Sequence, residues 1–151
     1  MRLELHLVPE SAVHNNLRTK IGRDWQQLSQ NICASKNFTC DMCGLRNVSI
    51  GSTHLLEVWE YDDDKCIQKL VGFECVCEIC HAVHHWGHSK MIGRDLDRLF
   101  HHACRVNGCT IDEFHEHINS SFEVWRERSK KTWTLDTDYY LTLKEHAGRT
   151  L

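Results

Sequence analysis

The chain has 151 residues, a formal charge of −3 at pH 7, 41% hydrophobic and 26% charged residues. That suffices for one core and is too little for two comfortable ones, so residues 1–151 are read as a single α+β domain. The charge excludes a uniformly basic nucleic-acid coat, and no apolar run approaches the roughly 20 residues of a membrane span.

Leu3, Leu5 and Leu7 alternate with polar residues and predict an opening β-strand that ends at Pro9, the only proline. The opening segment is unlike an export signal, which points to a cytoplasmic protein. In a reducing compartment, close cysteine pairs are more often metal ligands than disulfides, and the cysteine count here, nine, is odd. Within residues 18–33, helical spacing of Trp25, Leu28 and Ile32 predicts a helix with Asp24 as its N-cap. Cys40-x2-Cys43 follows, with Gly44 supplying the freedom that a tight ligand turn needs.

Residues 52–77 read as a hairpin of two β-rich segments around Asp62-Asp63-Asp64, an acidic run taken as a solvated turn and not as a cation site. Beyond Cys80, residues 95–106 carry an apolar stripe of Leu96, Leu99, Phe100, Ala103 and Val106, closed by Asn107-Gly108. Thr110 to Glu113 is a capping box that opens a second helix with inner face Phe114, Ile118, Phe122 and Trp125. Trp133 to Leu143 is read as a last strand. The tryptophans fall mostly on apolar stripes, with Trp86, beside the histidines, as the exception.

Chemistry concentrates in residues 77–88, C-E-I-C-H-A-V-H-H-W-G-H, which hold two cysteines and four histidines. Cys40-x2-Cys43 and Cys77-x2-Cys80 are two thiolate pairs at the spacing that closes on one tetrahedral Zn²⁺. Cys75 is a less well spaced substitute for Cys77, and Cys33, Cys66, Cys104 and Cys109 have no cysteine partner at ligand spacing. With Cys80 near a helix start, His81 and His85 share one face, and His84 and His88 form a neighbouring stripe. Taken alone such a pair is more often plain surface. Placed directly after a zinc-ligating pair, it reads as a site for a second divalent metal. His101 and His102 are read as an exposed helix face.

The order Cys-x2-Cys, hairpin, Cys-x2-Cys-His-x3-His resembles the HNH, or ββα-metal, endonucleases, in the branch with a four-cysteine structural zinc. Glu57-Val-Trp-Glu-Tyr-Asp-Asp-Asp, Ile67-Gln-Lys-Leu, the opening L-V-P-E and V-N-G-C-T-x-x-E narrow the resemblance to a bacterial and phage group, over nearly the whole chain. The resemblance implies a ββα-metal core over about 38–90 and a helical extension over about 93–130, with a flanking N-terminal strand and helix and two C-terminal helices. It implies structural Zn²⁺ on Cys40, Cys43, Cys77 and Cys80. It also implies a second ion (Mg²⁺, Mn²⁺, Ni²⁺ or Zn²⁺) on His81 and His85, and hydrolysis of DNA phosphodiesters.

The implied general base is a histidine on the first hairpin strand, but this chain has Leu56 there. His54, two residues earlier on the same face and about 7 Å away, is one substitute. Glu57 is another, if a bulge turns it inward. Two readings follow, an active endonuclease and a catalytically silent zinc module that binds nucleic acid or a protein partner, for example as a phage or mobile-element anti-defence protein. The residues for phosphate contact are Arg18, Lys20 and Arg23 near the first helix, and Arg126, Arg128, Lys130 and Lys131 at the end of the last.

Overall fold

A computed structural model describes residues 1–46 and 52–149; part of the expected core, residues 47–51, lies outside them. In chain order it holds α1 (Leu17–Ile21), α2 (Asp24–Ser35), β1 (Thr53–Asp62), β2 (Ile67–Cys77), α3 (Glu78–His84), α4 (Trp86–Met91), α5 (Leu96–Asn107), α6 (Ile111–Ser129), β3 (Thr134–Asp136) and α7 (Asp138–Arg149). The α+β class expected from the sequence is present, as a three-stranded sheet in the order β1-β2-β3 with helices around it. Among the described residues, no helix is long and apolar enough to cross a membrane.

The hairpin forms where the β-branched and aromatic residues predicted it. β1 and β2 pair antiparallel from Thr53↔Cys77 to Asp62↔Ile67, with a bulge where Val58 pairs with Gly72 and Trp59 with Leu70. The Asp62 carboxylate accepts the N–H groups of Asp64 and Lys65 at 3.1 and 3.0 Å, which closes the turn. Arg128 then holds the tip, bidentate on Asp63 at 2.9 and 3.0 Å and stacked over the Tyr61 ring. Lys131 donates to the Asp63 carbonyl at 2.8 Å.

Residues 1–9 do not form the expected opening strand. Leu3 and Leu5 are buried as their alternation requires, but their N–H groups find side chains instead of a neighbouring strand. The Asn107 side-chain oxygen accepts from Arg2 and Leu3 at 2.9 and 2.7 Å, and its amide donates to the Leu3 carbonyl at 2.9 Å. His117 Nε2 accepts from Leu5 at 3.1 Å, and Trp125 donates to the Val8 carbonyl at 2.9 Å. The His6 N–H caps the carbonyl of His84 at the end of α3, at 2.9 Å.

Two boundaries also differ. The helix expected behind Asp24 is α2, which begins one residue earlier than expected, and a separate short α1 precedes it, ending at Gly22, whose φ of 56° no helical residue adopts. Asp24 therefore lies inside the first turn of α2, where its charge still suits the dipole, and Arg23 occupies the cap position without a side-chain bond. The expected strand Trp133–Leu143 is only β3, three residues parallel to β2, followed by α7. Three helices, not two, thus follow the core. The capping box of Thr110 and Glu113 and the left-handed cap at Gly108 (φ 61°) are as expected.

Candidate metal centre and histidine cavity

The first cysteine pair is shaped by its glycine. Gly44 adopts φ 77°, letting its N–H return to the Cys40 carbonyl at 3.0 Å while the Cys43 N–H points at the Cys40 sulfur at 3.5 Å. Asp41 ties this turn to β2, giving its N–H to the Cys75 carbonyl and accepting the Cys75 N–H, both at 2.8 Å. The second pair sits where β2 runs into α3, so the hairpin carries the chain back to the first.

The four sulfur atoms of Cys40, Cys43, Cys77 and Cys80 lie within 4.8 Å of one another, and Cys43 and Cys77 are 3.6 Å apart. A tetrahedron with Zn–S bonds of about 2.3 Å has S–S edges of about 3.8 Å, so the group fits a zinc-sized ion. Without a cation the sulfurs must share protons. Hydrogen bonds from Cys77 and Cys80 hold the Cys40 thiol far below its ordinary range, while the bond to Cys40 pushes Cys77 up to about 11. Among the described residues no other three-donor group forms. Cys75, the spaced alternative, packs instead with Cys33 and Leu55 under α2, where burial pushes its thiol up to about 12.

His81 follows Cys80 directly in α3 and His85 is the C-cap of that helix, their ring centroids 4.6 Å apart and planes at 81°. The helix stops at His84, and His85 leaves helical geometry (φ −93°, ψ 48°) before α4 begins. From β1, His54 stacks on His81 at 4.2 Å with planes 5° from parallel. Lone pairs of imidazole lie in the ring plane. Crossed planes can therefore converge on one ion, and parallel stacked ones cannot. The crossed rings of His81 and His85 have the geometry to meet at one ion, and His54 stands beside them.

His81 and His85 open onto a cavity of about 370 Å³ lined also by His6, Glu57, Arg18 and Trp59, among others, while His54 and His81 line a neighbouring one. Among the described residues the rings of His6, His54, His81 and His85 make no hydrogen bond to the protein, so their nitrogens are open to a ligand. Burial lowers all four, His6 to about 4 and His81 to about 3, so each is neutral at pH 7. Arg18 and Arg94 add to this at His54, and Arg94 at His81 and His85.

Glu57 reaches the rim of the cavity, but its carboxylate accepts the Arg18 N–H at 2.8 Å, at the first turn of α1. The bulge falls one residue beyond Glu57. Leu56 is buried in the main core with Val76, Val83 and Trp86. His84 is also buried, edge-on to His6 at 4.4 Å, with neither ring nitrogen hydrogen-bonded; His88 is exposed. Trp86 is a core residue against Phe100 and Phe114.

The basic residues divide. Arg18 is exposed and lines the cavity, Lys20 donates to Thr137 at 3.2 Å, and Arg23 is exposed. Arg128 and Lys131 hold Asp63, Lys130 pairs with Glu127 at 2.8 Å, and Arg126 is exposed. Sequence reasoning did not reach His6 or Arg94. It also took His102 for an exposed residue, whereas His102 is buried, with Nε2 3.1 Å from the Cys80 sulfur. The only local hint for Arg94 is the preceding Gly93, whose φ of 77° turns the chain after α4.

No family model, curated protein or solved structure matches the chain.

Proposed function

We propose that the protein is a divalent-metal-dependent phosphodiesterase acting on DNA, of the ββα-metal kind its sequence resembles, with a structural Zn²⁺ on Cys40, Cys43, Cys77 and Cys80. The observation that carries this reading is the crossed His81/His85 pair. Its nitrogens have no protein partner, it opens onto a cavity rimmed by Arg18, and it sits on the helix that the cysteine group anchors.

A divalent ion (Mg²⁺, Mn²⁺, Ni²⁺ or Zn²⁺) bound there supplies Lewis-acid polarisation of a phosphate oxygen and a more acidic water. The protein side of the reaction falls to named groups. His54, neutral at pH 7, is the proton acceptor beside the pair, in place of the strand histidine that Leu56 replaces. Arg18 on the cavity rim, and Arg94, whose guanidinium is held by Ser89 Oγ at 2.9 Å, supply positive charge near the histidines for a phosphate. Glu57 orders α1 and so places Arg18.

Zinc-loaded protein should nick supercoiled plasmid with Mg²⁺, Mn²⁺ or Ni²⁺, and His85→Ala should abolish nicking. Absence of cleavage with every metal removes the reading. A second reading, a silent zinc module that binds nucleic acid or a protein partner, is favoured by one observation, the burial of Leu56 at the strand position where the resemblance expects a base. It requires one zinc, no second metal, and binding indifferent to His85→Ala.

A further inference from the structure

Each Cys-x2-Cys turn protects its first sulfur with its own backbone. The Cys43 N–H points at Cys40 and the Cys80 N–H at Cys77. The second sulfur of a pair receives nothing from its own turn. Cys80 is fully buried, so water cannot serve it either. What approaches it is His102, contributed by α5 from 22 residues further along the chain, with Nε2 at 3.1 Å. The Nδ1 atom of the same ring lies 3.2 Å from Arg105 Nη2.

The direction of both bonds follows from the arginine. A guanidinium only donates, so Nδ1 must accept, and the ring proton of neutral His102 is therefore on Nε2, aimed at the Cys80 sulfur. Four thiolates and one Zn²⁺ sum to −2 in a site that is mostly buried. A donor chain ending in a permanent cation offsets part of that charge where solvent cannot. His102 and Arg105 also line an open cavity of about 530 Å³ with Ile79 and Arg98.

We infer that His102, its ring oriented by Arg105, is a positioning residue of the four-cysteine site, donating Nε2–H to the Cys80 thiolate and thereby slowing metal release. This rests on the zinc reading given above. The test uses full-length zinc-loaded protein, with zinc release to excess EDTA followed over time, and Co²⁺-substituted protein, with its thiolate-to-metal charge-transfer band.

Relative to wild type, His102→Ala should release zinc about tenfold faster or more and move the charge-transfer band to lower energy, as an electron-richer sulfur requires. His102→Gln, which places an amide donor near the same point, should restore most of the rate and the band position. Arg105→Ala, at an exposed position, should accelerate release by a smaller factor. A His102→Ala protein with wild-type release and an unshifted band overturns the inference. If His102→Ala does not fold, wild-type behaviour of Arg105→Ala in both measurements overturns it. Wild-type protein that takes up no zinc removes the zinc reading itself, an outcome separate from either.

Discussion

His54 and His81 lie face to face, ring centroids 4.2 Å apart and planes 5° from parallel, although one belongs to β1 and the other to α3. Their in-plane lone pairs cannot meet at one ion, so the two should separate experimentally. His85→Ala and His81→Ala should each lose the second metal, seen by titrating Co²⁺ into zinc-loaded protein. His54→Ala should keep that affinity within a few-fold and lower the cleavage rate by about 10²–10⁴, the usual contribution of a general base. Equal loss of metal in all three variants would falsify the division of roles.

The arginines give a test that does not depend on turnover. The charges of Arg18 and Arg94 act on His54, whereas Arg128 is paired with Asp63 and stacked on Tyr61 at the hairpin tip. Arg18→Ala and Arg94→Ala should each reduce the salt dependence of DNA binding by about one counterion. Arg128→Ala should leave that slope unchanged and cost about 0.5–1 kcal/mol of stability, as an exposed pair does. A slope that falls with Arg128→Ala and not with Arg18→Ala would place the DNA on the opposite end of the hairpin.

Acid should destabilise the fold earlier than an ordinary surface would suggest. His6 and His84 are held down to about 4 and about 3, chiefly by burial, against an ordinary value of 6.5. Folded-state values below the unfolded one mean that the unfolded chain binds more protons between them. The stability these residues allow is present above pH 6.5 and lost as pH falls toward 4, by up to about 1.4 kcal/mol per unit for each histidine. Urea midpoints at pH 7.5, 6.5 and 5.5 should fall in that order. His84→Phe, which removes a buried titratable ring, should flatten the dependence; an unchanged slope rejects this account.

Removal of the metal should unfold the chain rather than merely silence it, because all four thiols converge in the main core, where Cys40, Cys77 and Cys80 are buried. Cys40→Ser or Cys80→Ser should abolish zinc uptake and the cooperative transition, given that structural zinc supplies about 10–16 kcal/mol in small zinc modules. Cys75→Ala should retain one zinc, counted by native mass spectrometry, with only the stability loss of a small core truncation. A zinc-free Cys75→Ala would mean that the ligand set had been assigned wrongly.

What could be read in the sequence was local. Cysteine spacing, the Asp62 turn, the capping box at Thr110 and the cap at Gly108 each depend on neighbours within five residues, and each is present. The misreadings concern partners that spacing cannot reveal. Leu3 and Leu5 alternate like a strand because they are buried, yet the groups that satisfy them come from Asn107 and His117. His102 sits in a polar-looking His-His pair, and only the approach of Cys80 gives it a role. Trp133–Leu143 is rich in β-formers, but Asp136 accepts the Asp138 N–H at 3.0 Å and starts α7. The resemblance named a strand histidine. It could not show that His54 would come to lie on His81.

The attachments of residues 1–9 bear on how the molecule is assembled. The backbone hydrogen bonds that hold Arg2, Leu3, Leu5 and Val8 span 104 to 117 positions of sequence, while the Arg2 side chain reaches the Asp41 carbonyl, 39 positions away. Pairings of that separation are the slowest to form, since the intervening chain must be ordered first. On the ribosome this segment emerges ahead of every helix that receives it, and it must wait for α6. His6 and Val8 form one wall of the histidine cavity, so the vestibule around His81 and His85 is closed in the final docking event. A nascent chain halted before α6 would hold its zinc and its hairpin, with the reactive histidines still facing open water.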